Sequence, residues 1–185
     1  MYEIAAYKDL IYKADEKTIA RFEMAKKLSK DFTVENDTAR KMDKLLMQFV
    51  KSEYEKPKAE DYVSLRLRSG MGNKDLDRSE KALANSLFTV SLYEKEELIG
   101  FGRIVGDGGI TYVVSDIMVD ENYRRRGFAD QIMKEINQYF EENTFEDSYI
   151  CLIANSPADL LYNKYQFEYL PNNKYGMLRK QSKIK

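Results

Sequence analysis

The chain has 185 residues, 43% of them hydrophobic and 12% aromatic, which is enough to bury a core and too apolar for disorder to be its main state. Lys and Arg number 30 against 31 Asp and Glu, a net charge of -1, so no overall field draws the chain to nucleic acid or to an anionic membrane. There is no histidine, which excludes Ser-His-Asp and Cys-His machinery and His-bearing metal sites, and leaves carboxylate, tyrosine, lysine or water as the proton acceptor.

The single cysteine, Cys151, can form neither an internal disulfide nor a thiolate cluster, and the chain reads as cytosolic. The N-terminal segment MYEIAAYKDLIYKADEK has charges every few residues and no long apolar run, so neither a signal peptide nor a membrane span is expected.

The first proline is Pro57 and the first glycine Gly70. Long uninterrupted elements are therefore expected before residue 57, and a compact strand-and-turn fold after it. Ile4, Tyr7, Ile11 and Ala14, then Ile19, Phe22, Ala25 and Leu28, and later Met42, Leu45, Leu46 and Phe49, recur at helical spacing among charged residues. This predicts a helical hairpin over residues 3–46, part of an N-terminal extension (1–48) preceding a second domain (49–185). Its apolar stripe can pack against the rest of the chain or against a second subunit in a homodimer.

From residue 49 the period changes. A short strand over 49–54, a helix over 60–69 stopped by Gly70, and a helix over 77–84 capped by Asp77 or Ser79 are expected. Strands over 87–93, 98–105 and 110–119 form an antiparallel meander, and Phe128, Ile132, Ile136 and Phe140 mark an amphipathic helix. An apolar strand over 149–153, a short helix over 157–164 and two strands near 167–169 and 175–178 complete a mixed, mostly antiparallel α+β sheet flanked by helices.

The chemistry concentrates in DIMVDENYRRRGFA, Asp116 to Ala129. A strand ends, a polar turn follows, and Arg124, Arg125, Arg126, Gly127, Phe128 and Ala129 open a helix. Gly127 lets the backbone come close to a ligand, and the free N–H groups of the first helical turn form a cradle for a pyrophosphate.

This stretch resembles motif A of the GNAT (general N-acetyltransferase) superfamily, [QR]-x-x-G-x-[GA], with Arg124, Gly127 and Ala129 at its defining positions. Downstream, LIANSPADLLYNKYQF is similar to the second signature of the family, matching at Asn155, Ala158, Tyr162, Lys164 and Phe167, with Gln166 where glycine is usual. The resemblance implies a GNAT-like fold over about residues 49–180 and an acetyl-CoA-dependent N-acetyltransferase. Its acceptor would be a primary amine of a small molecule or peptide that attacks directly in a ternary complex. Backbone at Ile117, Met118 and Val119 would pair with the pantetheine arm, with an N–H near Met118 or Val119 facing the oxyanion. Residues 125–129 would hold the pyrophosphate, and Tyr162 would be the general acid. Asp116, sharing strand parity with Tyr112, Val114 and Met118, is a candidate base or a partner of Arg103. The alternative implied by Gln166 is a catalytically degenerate acyl-CoA-binding module that acts through a protein partner.

Overall fold

The computed structural model describes residues 50–179, all within the second of the two units into which the chain divides, Met47–Lys185. The expected helical hairpin over 3–46 and the domain boundary after residue 48 lie outside the described residues.

Strand β1 (Val50–Glu53) is followed by helices α1 (Ala59–Arg68) and α2 (Leu76–Ala84), and then by strands β2 (Phe88–Glu94), β3 (Glu97–Gly106) and β4 (Thr111–Val119). A 3-10 turn (Glu121–Tyr123) leads to α3 (Phe128–Asn143), β5 (Tyr149–Cys151) and α4 (Asp159–Tyr162), which runs into a second 3-10 turn (Asn163–Tyr165). The sheet has the order β1-β2-β3-β4-β5. Neighbouring strands are antiparallel through β4, and β5 returns parallel to β4 after the α3 crossover.

Each face of the sheet buries its own core. Val90, Leu92, Ile99, Ile104, Tyr112 and Val114 meet the apolar stripe Phe128, Ile132, Met133, Ile136 and Phe140 of α3. On the opposite face Leu98, Phe101 and Met118 meet Ala59, Tyr62 and Leu65 of α1 and Leu83 of α2. The approach of α3 is close enough that a Cβ on Gly102 would lie 2.5 Å from Ile132 Cγ2 and 2.7 Å from Ile117 Cδ1. Glycine is therefore required there by packing.

Two local expectations are corrected. Neither Asp77 nor Ser79 caps α2; Asp75 does, its carboxylate accepting from the Arg78 N–H at 3.0 Å. The strands expected near 167–169 and 175–178 do not form. A strand needs a ladder partner and a face to bury, and β5 has only β4 beside it among the described residues. A turn in which the Lys174 N–H donates to the Pro171 carbonyl separates the two segments. Tyr169, Tyr175 and Met177 remain exposed. No helix among the described residues is long and apolar enough to cross a membrane.

Candidate active site

The site begins where β4 and β5 part. Their parallel pairing covers Thr111 with Tyr149, Tyr112 with Ile150 and Val113 with Cys151, and then stops, while β4 continues to Val119. From Val114 onward the β4 edge facing β5 has no ladder partner among the described residues. The Asp120 N–H donates to the Ile99 carbonyl at 2.8 Å. Antiparallel alternation then turns the N–H and C=O of Val119 away from β3 and toward the open edge.

Beyond β4 the chain builds a loop around Asp120, which is 1% exposed. Its carboxylate accepts from the Asn122 N–H at 2.9 Å and from Arg68 Nε at 2.5 Å, and Arg68 Nη2 donates to the Leu98 carbonyl at 2.7 Å. In return Arg124 Nη2 donates to the Ser69 carbonyl at 2.8 Å. Two arginines thus cross between the end of α1 and the loop, and Arg124 acts as a staple. Arg125 (φ +65°) and Gly127 (φ +92°, ψ 0°) then turn left-handed, and Gly127 becomes the N-cap of α3. The first-turn amides of α3 have no intrahelical acceptor and Gly127 has no side chain to cap them. The result is a helix N-terminus of the kind that can receive an anion, with the Arg126 guanidinium 5.4 Å from the Tyr123 ring centroid.

Strand β4 carries a bulge that alters the expected side-chain parity. Asp116 has φ +57°, and the β3–β4 register shifts by one between Phe101 and Arg103. Tyr112 and Val114 face α3, as do Ile117 and Val119 beyond the bulge, whereas Met118 packs under α1. Asp116 does not share the face of Tyr112 and Val114. Its carboxylate sits against α1, 2.7 Å from Arg66 Nη1 and 2.6 Å from Arg103 Nε, and accepts from the Tyr62 hydroxyl at 2.9 Å. Burial pushes the Asp116 carboxyl up, but the Arg103 charge and hydrogen bond, the Tyr62 donor and the Arg66 charge outweigh it and hold it below the ordinary carboxylate value. Sequence reasoning considered Arg103 as a partner and missed Arg66, whose signal was a charged residue in line with Tyr62 and Leu65 on the buried face of α1.

On the far side of the opening, Tyr162 ends α4, 9% exposed and packed edge-on to Phe167 at 6.3 Å. Its hydroxyl has no hydrogen-bond partner among the described residues, and burial pushes its pKa up, so it keeps its proton at neutral pH. Burial also pushes the Cys151 thiol up, which disfavours the thiolate a covalent acyl-enzyme needs. Ala158 N–H donates to the Asn155 carbonyl at 2.7 Å, bending the chain into α4. Lys164 reaches Asp130 of α3 at 3.8 Å.

Gln166 adopts φ +64°, ψ 15°, the conformation that glycine commonly takes at a helix end, and the Phe167 N–H still returns to the Tyr162 carbonyl at 3.3 Å. The turn is retained at the cost of a Cβ in the left-handed region. Gln166→Gly is expected to raise stability by about 0.5–1 kcal/mol after the backbone entropy of glycine is deducted. Thermal unfolding should register this as about 1–4 °C, and a lower melting temperature in the variant would rule out strain at this turn.

A family model described as an acetyltransferase (GNAT) domain matches residues 85–169. Among solved structures, a protein from meticillin-resistant Staphylococcus aureus described as a probable acetyltransferase is 42% identical, with TM-score 0.68 over 71% of this chain and 99% of that one. A GNAT-family acetyltransferase from Streptococcus pneumoniae is 25% identical, with TM-score 0.60 over 71% of this chain and 98% of its own. AAC(6')-Iy in complex with the bisubstrate analogue CoA-S-monomethyl-acetylneamine shares the fold at 17% identity and TM-score 0.52, over 72% of this chain and 99% of that one. No curated protein matches the chain. The family model spans the parted strands, the glycine-capped loop and the tyrosine-bearing helix, and the staphylococcal relative is covered along nearly its whole length: the chain belongs to the GNAT acetyltransferase family.

Proposed function

We propose that the protein transfers an acetyl group from acetyl-CoA to a primary amine by direct attack within a ternary complex. The observation that carries this reading is the continuity of the β4 edge, which has no ladder partner beyond Val113 among the described residues and whose Val119 carbonyl accepts only from Arg124 Nε at 3.4 Å, with the left-handed Arg125–Gly127 loop at the start of α3. An extended pantetheine arm can pair with the backbone at Ile117, Met118 and Val119 as an added strand would. The amides of 125–129 and the charge of Arg125 and Arg126 would hold the pyrophosphate, and Asn155, Ala158 and Lys164 would serve the arm from the segment after β5. AAC(6')-Iy, of the same fold, accommodates a CoA conjugate, which supports the assignment.

Bound acetyl-CoA supplies an acetyl group activated as a thioester. The Val119 N–H, turned to the open edge, stabilises charge developing on the carbonyl oxygen. The Tyr162 hydroxyl holds the proton that the departing sulfur takes. Asp116, with both oxygens engaged and its basicity lowered, positions Arg66 and Arg103, and the amine gives up its proton to water. The rival reading, a degenerate cofactor-binding module acting through a protein partner, draws on Gln166, which holds the left-handed turn at φ +64°.

Acetyl-CoA at 100 times its dissociation constant is expected to stabilise the fold by about 2.7 kcal/mol, or about 5–10 °C in melting temperature. Incubation with a panel of amines should release free thiol. Stabilisation without thiol release from any amine would favour the binding-module reading, and absence of stabilisation would refute both.

A further inference from the structure

Behind the bulge, α1, α2, β3 and β4 enclose an open pocket of about 910 Å³ with an unequal balance of charge. Four cations line it, Arg66, Arg103, Lys74 and Arg78, against two carboxylates, Asp75 and Asp116. At its floor two guanidiniums meet one carboxylate, with side-chain exposures of 6% for Arg66, 14% for Arg103 and 10% for Asp116. An excess positive charge withdrawn from water is costly unless an anion joins it.

Every nitrogen of Arg66 donates to the protein: Nε to the Gly72 carbonyl, Nη1 to Asp116 and Tyr62, and Nη2 to the Met71 carbonyl. Arg103 differs. Its Nε serves Asp116 and its Nη1 the Ala82 carbonyl and the Ser86 hydroxyl, while Nη2 has no hydrogen-bond partner among the described residues. At the rim Asp75 is occupied in capping α2 and in an ion pair with Arg78 at 3.3 Å, and Lys74 makes no ion pair among the described residues.

We propose that this pocket receives the acceptor and selects an amine that also bears an anionic group, a carboxylate or a phosphate, held by Arg103 Nη2, Lys74 and Arg78. The proposal rests on the acetyltransferase reading above and names its substrate class. Linear polyamines would meet like charge here, whereas an anion on the acceptor completes the Arg66–Asp116–Arg103 cluster and leaves the amine beside β4.

Calorimetric titration of the full chain saturated with CoA tests this without requiring turnover. The amines are matched pairs: 4-aminobutyrate with butylamine, and phosphoethanolamine with ethanolamine, together with putrescine as a dication. At least one anionic member is expected to bind about tenfold or more tightly than its anion-free counterpart, and the pair that shows the gap identifies carboxylate or phosphate. Both rim side chains are exposed, so the double variant Lys74→Ala, Arg78→Ala should remain folded, and in it most of the gap should close. Equal affinities within each pair, tightest binding of putrescine, or a gap that survives the double substitution would overturn the proposal. Failure of the acetyltransferase reading is separately visible as the missing thermal shift with acetyl-CoA.

Discussion

The Gly127→Val variant is expected to show no thermal shift at acetyl-CoA concentrations that raise the wild-type melting temperature by about 5–10 °C. Gly127 sits at φ +92°, ψ 0°, where a β-branched side chain is strained. A backbone that relaxes toward negative φ turns the first amides of α3 away from a common point, and the branched side chain fills the space a pyrophosphate oxygen needs. Both effects act on the cradle, while the core stripe of α3 from Ile132 to Phe140 is untouched. The unliganded variant should therefore still melt cooperatively, a few degrees lower. A folded variant that retains the full acetyl-CoA shift would refute the assignment of the pyrophosphate to this loop.

Tyr162→Phe is expected to lower turnover by about 10²-fold or more with little change in acetyl-CoA affinity. The hydroxyl has no partner to lose among the described residues, and the ring, packed against Phe167, is kept. A tyrosine that merely packs would leave the rate within a few-fold. The measurement is saturation kinetics under conditions where chemistry limits the rate. A near-wild-type turnover number would refute the acid role and move protonation of the thiolate to water.

The elements that sequence alone made legible are those with an internal period. The α3 stripe, the meander of β2 to β4 and the strand-turn-helix passage through Gly127 all stand where periodicity and turn chemistry put them. Apart from the α2 cap, where Asp75 takes the place of its near neighbours Asp77 and Ser79, the errors have a common cause in long-range partners. Segments 167–169 and 175–178 have strand composition but find no neighbouring ladder, and composition alone does not reveal that. The parity of Asp116 was misjudged because strict alternation assumes an unbroken ladder, and a single left-handed residue inverts it. Asp120 and Arg68 escaped notice for a related reason. An acid after a strand and an arginine near a helix end are ordinary surface features until the fold brings them within 2.5 Å.

The bulge at Asp116 has a consequence for folding as well as for chemistry. On one side of Gly102 the β3–β4 ladder pairs Gly100 with Val119 and Phe101 with Met118; on the other it pairs Arg103 with Ser115 and Ile104 with Val114, one residue out of phase. A continuous, unbulged pairing of β4 with β3 that kept either half in step would put the other out of step and send its side chains to the wrong face of the sheet. The two halves therefore act as a vernier: only one alignment satisfies both, and the hairpin that presents the site is locked in register before any ligand arrives.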